Sequence, residues 1–374
     1  MRPSELGSTT SKKSWHQTFV QNGVCNRRAW LRGCFGLTLS LLGACAGLRT
    51  AAQEVPVAKR RRALRLAHIT DVHVQPELGA ARGLVACLHH LQSLPDPPEL
   101  IVNTGDSIMD AMAADADRTR LQWDLWRKIL KAECSLPVEH AIGNHDCWGL
   151  NRKRSGTTGQ EPLWGKRWAL EALQLEAPYR TFERAGWHFI VLDSIDPWEN
   201  SYRAYLGEEQ LAWLRTELQK IPKIRPVVVL SHIPIVSAAG LLENARVSED
   251  GNLTVGRALM HLDGPAIHAL LRQHGNVRLC LSGHLHMLDR VEFDAITYIT
   301  TGAVSSAWWR GVHKDRFDYG YAVVDLYNDG TFHYQYHRYG WQTVPEPAPQ
   351  SGKSLETEGL VHLAPAGSHS DDFC

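Results

Sequence analysis

Five short polar motifs, each placed just downstream of an apolar, β-favouring run, constrain this chain more than any other feature. Asp71 and His73 lie in T-D-V-H after R-L-A-H-I-T, and Asp106 lies in T-G-D-S after L-I-V-N. Asn144 lies in G-N-H-D after A-I, His232 in L-S-H-I-P after V-V-V, and His284 and His286 in S-G-H-L-H after V-R-L-C-L. In sheets flanked by helices, functional side chains gather where strands end. A structural His or Asp has no such restriction, so the repeated placement predicts strand ends that converge on one polar centre.

Each motif alone has a plainer reading. A Gly-Asp pair after a strand is usually a turn, and His232 ahead of Ile-Pro fits a satisfied core histidine. G-N-H-D has little packing purpose, and its Asn offers a neutral carbonyl oxygen. In G-H-x-H, alternation along an extended segment puts both imidazoles on one side, where each can meet a different cation of a close pair. Together Asp71, His73, Asp106, Asn144, His232, His284 and His286 can hold two cations side by side.

In this order, D-x-H, G-D, G-N-H-D, H and G-H-x-H resemble the calcineurin-like binuclear metallophosphoesterase superfamily, over about residues 63–340. The first motif is D-x-H, not the D-x-G of purple acid phosphatases, which removes a tyrosine-ligated iron. The helix pattern from Gly207 and the G-N-H-D form look most like the class III cyclic-nucleotide phosphodiesterase branch and its secreted bacterial relatives. The resemblance implies an α/β fold, a four-layer α-β-β-α sandwich of two mixed sheets flanked by helices. It also implies that Asp71, His73, Asp106 and His286 hold one metal and Asp106, Asn144, His232 and His284 the other. Asp106 would bridge with its two oxygens, and a metal-bridging hydroxide would be the nucleophile. His145 would protonate the leaving oxygen, and Asp146 would orient His145 or a ligating imidazole. Mixed imidazole and oxygen ligands suit two divalent or mixed-valence transition metal ions, Fe or Mn first and Zn next, rather than Ca.

Three function classes follow. A phosphodiesterase, with phosphomonoesterase as its near alternative, acts on a small phosphoester. A nucleotide pyrophosphatase keeps the fold and changes the substrate. A non-enzymatic scaffold requires lost histidines, and His73, His145, His232, His284 and His286 are all present.

The 374 residues carry formal net charge zero, but residues 1–52 hold seven cationic side chains against Glu5 alone, a net +6 that leaves −6 for the rest. A mildly acidic chain gives no basic stripe for nucleic acid. N-R-R-A-W-L-R before a short Gly- and Ser-containing apolar stretch reads as a twin-arginine export signal over 1–52, too short for a comfortable membrane span. It predicts an extracytoplasmic location, periplasmic or secreted. Cys45 in L-G-A-C offers a lipid-anchor site, and A-C-A offers cleavage after Ala46. Of eight cysteines, five lie beyond the leader, so one is unpaired or joins another chain. Cys87 and Cys280 read as packed small hydrophobes, and Cys134 with Cys147 is compatible with a disulfide.

Patterning predicts strands at 64–69, 99–103 and 137–142, helices at 82–94, 116–131 and 207–220, and short strands from 289 to 337 forming an antiparallel layer. Leu121, Leu125, Trp126 and Ile129 recur at helical spacing as core, with Asp115 and Asp117 as helix-start acids. The Arg152, Lys153 and Arg154 loop is expected at the mouth of the site, and 236–262 as part of a lid. His188 reads as a strand-face residue and Asp193 as outside the site. Trp308 and Trp309 either pave a substrate face or plug the space beneath their loop. Composition predicts a disordered tail over 341–374.

Overall fold

Aliphatic and β-branched runs, alternating in which residue faces which side, generate the strands of this protein. A computed structural model describes residues 59–344. The leader, Cys45, Cys374 and the tail beyond Val344 lie outside the described residues. β1 (Arg62–Ile69), α1 (Ala80–Gln92), β2 (Leu100–Asn103), α2 (Ala116–Glu133) and β3 (Val138–His140) make the first repeating unit. Short helices α3 (Arg152–Ser155) and α4 (Arg167–Leu173) lead to β4 (Arg180–Arg184), β5 (Trp187–Val191) and the hairpin β6 (Ile195–Trp198) and β7 (Ser201–Ala204). Then come α5 (Gly207–Lys220), β8 (Val227–Leu230), α6 (Ala238–Asn244), the ribbon β9 (Arg246–Val247) and β10 (Leu253–Thr254), and α7 (Gly264–His274). The chain closes with β11 (Val277–Ser282), β12 (Asp289–Phe293), β13 (Ile296–Thr300), β14 (Gly320–Tyr327) and β15 (Phe332–Arg338).

The larger sheets run β15-β14-β1-β2-β3 and β12-β13-β11-β8-β5-β4. Both are mixed: β1, β2 and β3 are mutually parallel with β14 antiparallel to β1, and β5, β8, β11 and β13 are parallel with antiparallel β4 and β12 at the edges. Strand alternation assigns the layers. Leu64, Leu66, Phe189, Val191, Val228, Leu230, Leu279 and Leu281 pack together between the sheets. Their neighbours Ala67 and Ile69 turn outward to α1 and α2, while Ile190, Val227 and Val229 turn outward to α5 and α7. A register shift between Val277 and Leu279 lets both residues be buried on opposite faces of β11. The result is the expected α-β-β-α sandwich.

The expected antiparallel layer after His286 is corrected by pairing. β12 and β13 extend the second sheet, with β13 parallel to β11, whereas β14 and β15 cross over and complete the first sheet beside β1. Four strands of similar pattern give no sequence signal for which edge each joins. Cys87, Cys134, Cys147 and Cys280 are all free, so the Cys134–Cys147 disulfide does not form. Of the tail expected over 341–374, the described residues 341–344 are packed: Trp341 lies edge-on against Trp309 at 6.0 Å, and the Thr343 hydroxyl lies 3.0 Å from that of Tyr319. Among the described residues no helix is long and apolar enough to cross a membrane.

Asp115 caps α2, its carboxylate accepting from the Arg118 amide at 2.8 Å. The helix buries Thr119, Gln122, Trp123, Trp126 and Ile129, the i, i+3, i+4, i+7 stripe. Leu121, expected in the core, is 50% exposed. Trp123 therefore carries the packing, and Trp123→Ala should cost about 3–5 kcal/mol in denaturant unfolding. Leu121→Ala should change stability by no more than about 0.5 kcal/mol; the reverse ranking would contradict this burial.

Candidate metal centre

The site begins as an extension of strand pairing beyond the strand ends. After β1 and β2, Asp71 N donates to Gly105 O at 3.0 Å, His73 N to Asp106 O at 2.9 Å and Val74 N to Ser107 O at 3.0 Å, so the two loops stay in step. From the second sheet, Gly283 N donates to His232 O at 3.0 Å, and His284 N donates to both Asp71 oxygens, at 3.0 and 2.9 Å. That last contact ties the sheets together at their open ends. It also explains a motif glycine, since a Cβ on Gly283 would lie 1.9 Å from Thr70 Oγ1 and 2.3 Å from Asp71 Oδ2. Gly143 is required in the same way: its Cβ would lie 2.1 Å from Asp106 Oδ1.

Asp71, His73, Asp106, His284 and His286 all have left-handed backbone, with φ between 49° and 69°. For non-glycine residues this costs on the order of 1 kcal/mol or more each. The cost is sustained by the inter-loop bonds just described. His284 and His286 thus project from a turn, and the expected strand alternation does not place them; the turn sends them to different partners instead.

His73 Nε2 lies 3.0 Å from His286 Nε2 and 3.6 Å from Asp106 Oδ2, and His286 Nε2 lies 3.5 Å from Asp71 Oδ1. In the second group His232 Nε2 lies 3.0 Å from Asn144 Oδ1, 3.2 Å from His284 Nδ1 and 3.3 Å from Asp106 Oδ2. A transition metal with N and O ligands at about 2.0–2.2 Å sets neighbouring ligand atoms roughly 2.8–3.6 Å apart; these six separations fall in that interval, and His73 Nε2 to Asp71 Oδ1 is wider at 4.0 Å. The seven residues meet as two groups sharing Asp106 Oδ2. The other Asp106 oxygen accepts from His145 N at 2.8 Å.

Tautomers sharpen the fit. His232 Nδ1 faces Thr104 O at 3.1 Å and His286 Nδ1 faces Ser306 O, and a carbonyl can only accept. Each Nδ1 therefore carries hydrogen, and each Nε2 lone pair of a neutral ring points into the centre. For His232 that lone pair meets a carboxylate and an amide oxygen, a repulsive arrangement unless a cation lies between them. Burial lowers the His232 pKa, but the Asp106 charge outweighs it and raises it to about 9, so this position favours a positive charge. Burial holds His73 and His284 well below the ordinary histidine range and His286 at about 3, leaving these rings neutral and able to ligate at pH 7. Burial pushes Asp106 up, yet the charges of His232 and His145 hold it well below the usual carboxylate range.

Asp146 does not touch an imidazole in the way the sequence suggested. Its Oδ2 accepts from the amides of Asp106 and Gly143, both at 2.9 Å, and its Oδ1 from those of Ser107 at 2.9 Å and Ile108 at 3.3 Å. Burial and the Asp106 charge push its pKa up to about 7, while the amide donors favour the charged form. It clamps the Asp106 turn onto the Gly143 turn. His145 meets His73 edge-on at 4.7 Å and lines a cavity together with Asp106, Asn144, His284 and His286. Its Nδ1 is buried without a partner.

The mouth of that cavity holds residues sequence reasoning missed or left open. Trp308 tilts over His286 at 4.4 Å between ring centres, whereas Trp309 is fully buried with its Nε1 donating to Val72 O and His73 O at 2.9 and 3.1 Å. Trp309 thus takes the plugging role, while Trp308 lines the cavity. His313, Lys314 and Asn244 also line the cavity. Arg152, Lys153 and Arg154 do not: they form α3, with Arg152 over the Trp164 ring at 5.4 Å. Asp193 pairs with Lys166 and stays outside the site, and His188 sits on β5 beside Glu183, as expected. Residues of the 236–262 connection wall a second cavity that abuts the first.

The model of the calcineurin-like phosphoesterase family matches residues 64–288. A probable cyclic nucleotide phosphodiesterase of Synechococcus is 25% identical over 282 residues, 73% of this chain and 92% of that protein. A probable glycerophosphodiester phosphodiesterase of Arcobacter nitrofigilis is 25% identical over 255 residues, 66% of this chain and 81% of that protein. Among solved structures, a dimetal phosphatase from Danio rerio aligns with TM-score 0.49 and 17% identity, covering 71% of this chain and 93% of its own. The motifs, the three overlapping ligand clusters Asp71–His73–His286, His73–Asp106–His145 and Asp106–His232–His284, and the family match over most of the sandwich make this chain a member of the calcineurin-like phosphoesterases, hydrolytic enzymes that depend on a pair of metals.

Proposed function

We propose that this protein hydrolyses phosphodiesters at a two-metal centre. The observation that carries the reading is the single oxygen Asp106 Oδ2 lying 3.6 Å from His73 Nε2 and 3.3 Å from His232 Nε2. Asp71, His73 and His286 with Asp106 would hold one ion, and Asn144, His232 and His284 with Asp106 the other. Mixed imidazole and oxygen donors favour Fe, Mn or Zn. When bound, such a pair supplies Lewis acidity and lowers the pKa of an attacking water. Both curated relatives carry phosphodiesterase names, which favours diesters over monoesters.

The chain's own residues then divide the work. Asp146 fixes the backbone from which Asp106 and His145 project. Trp308 covers His286 and narrows the mouth. His145, lining the cavity without a partner on Nδ1, is placed to give a proton to the departing alkoxide. The twin-arginine leader supports an extracytoplasmic setting for this activity; intact mass of the exported protein separates a lipid on Cys45 from cleavage after Ala46.

His145→Ala should retain two metals per chain and lose on the order of 10²–10⁴-fold in turnover; a loss of metal would make His145 a ligand. In contrast, Asp146→Asn turns an amide donor toward backbone N–H groups, which should destabilise the fold by about 1–3 kcal/mol and reduce metal content, measured by unfolding and elemental analysis. Purified protein loaded with Mn, Fe or Zn should cleave bis-p-nitrophenyl phosphate in preference to p-nitrophenyl phosphate. A monoester preference on the same sample would replace the phosphodiesterase reading with a phosphatase one.

A further inference from the structure

The metal cavity is not closed on its far side. Asn244, Leu259 and Lys314 line it and also line a neighbouring cavity of about 680 Å³, so the two form one continuous cleft. The second cavity is walled by the end of α6, the β9–β10 ribbon and the 255–259 segment, and its lining includes Glu243, Arg257 and Lys314. Lys314 pairs with Glu243 at 3.3 Å, and the same carboxylate binds Arg316. Arg257 is drawn toward Glu199 at 3.1 Å, at the surface. Asn244 Nδ2, also at the junction, is a buried donor with no hydrogen-bond partner. A buried unsatisfied amide donor next to a lysine ammonium is unfavourable until an acceptor-rich group arrives, and the ammonium favours an anionic one.

We propose that this second cavity is a subsite for one ester substituent of the diester, and that it selects substituents bearing their own carboxylate or phosphate, with Lys314 and Asn244 reading that group. The proposal rests on the phosphodiesterase reading and specifies its substrate class. A diester phosphorus among Asp106, His145 and His284 would send one substituent past Lys314, because those two cavities share that wall. Glu243 sets the selectivity: it neutralises part of the Lys314 charge, so its removal strengthens the pull on an anion.

The test uses metal-loaded full-length protein and two chromogenic diesters, bis-p-nitrophenyl phosphate and its analogue with a carboxylate on one ring. Total nitrophenolate is recorded, so either ring can leave. Wild-type protein should favour the carboxylated diester by tenfold or more in kcat/KM. Lys314→Gln should reduce that ratio at least fivefold, and Glu243→Gln should raise it, a reversal that a damaged fold cannot produce. Equal rates on both diesters with wild-type protein, or the same ratio in all three proteins, would overturn the subsite and leave the phosphodiesterase reading standing. Cleavage of neither diester by wild-type protein would remove both.

Discussion

Everything at the open end of this sandwich depends on one carboxylate, Asp106. Its Oδ2 faces His73 from the first sheet and His232 from the second, and its Oδ1 accepts the His145 amide. Four features then reinforce one another. His73, His284 and His286 are neutral, the ligand nitrogens converge, Asp106 Oδ2 faces imidazoles, and the left-handed ligand residues are held by inter-loop bonds. Such a cluster is costly as bare protein and becomes favourable with cations inside it. Strain and unmet charge at this end are offset by three apolar layers elsewhere, one between the sheets and one under each helical layer.

Asp146 shows why the metal-site motifs extend past the ligands themselves. Its two oxygens gather amides from Asp106, Ser107, Ile108 and Gly143, which welds two loops from neighbouring parallel strands into one rigid corner. Gly143 and Gly283 belong to the same logic, since each leaves space for a ligand carboxylate where a Cβ would collide. Distances on the scale of a metal coordination shell require that stiffness, because a ligand displaced by one ångström no longer shares the ion.

Much of this was legible in the sequence, for a specific reason. Strand-end placement of Asp71, Asp106, Asn144, His232, His284 and His286 is a local property, readable from the apolar run before each residue, and the sandwich follows from those runs and the helices between them. Other features were set by partners distant in sequence. Whether β14 joins β1 or β13 depends on the crossover, which no local pattern records. Leu121 and Trp123 are both apolar, and only the packing of α2 against α1 and the sheet decides which is buried. Asp146 was recognised as a supporting residue, but its targets are backbone amides, which look alike in every sequence. Trp308 and Lys314 entered the site through the 302–318 loop, where Ser306, Trp308, Trp309, Lys314 and Asp315 are left-handed without being glycine.

The most direct test of Asp106 as the shared ligand is electron paramagnetic resonance of the Mn(II)-loaded protein, compared with Asp106→Ala. A shared carboxylate oxygen predicts an exchange-coupled signal from paired ions in the wild-type protein and its loss in the variant. An isolated six-line Mn(II) spectrum from wild-type protein holding two ions per chain would contradict the account.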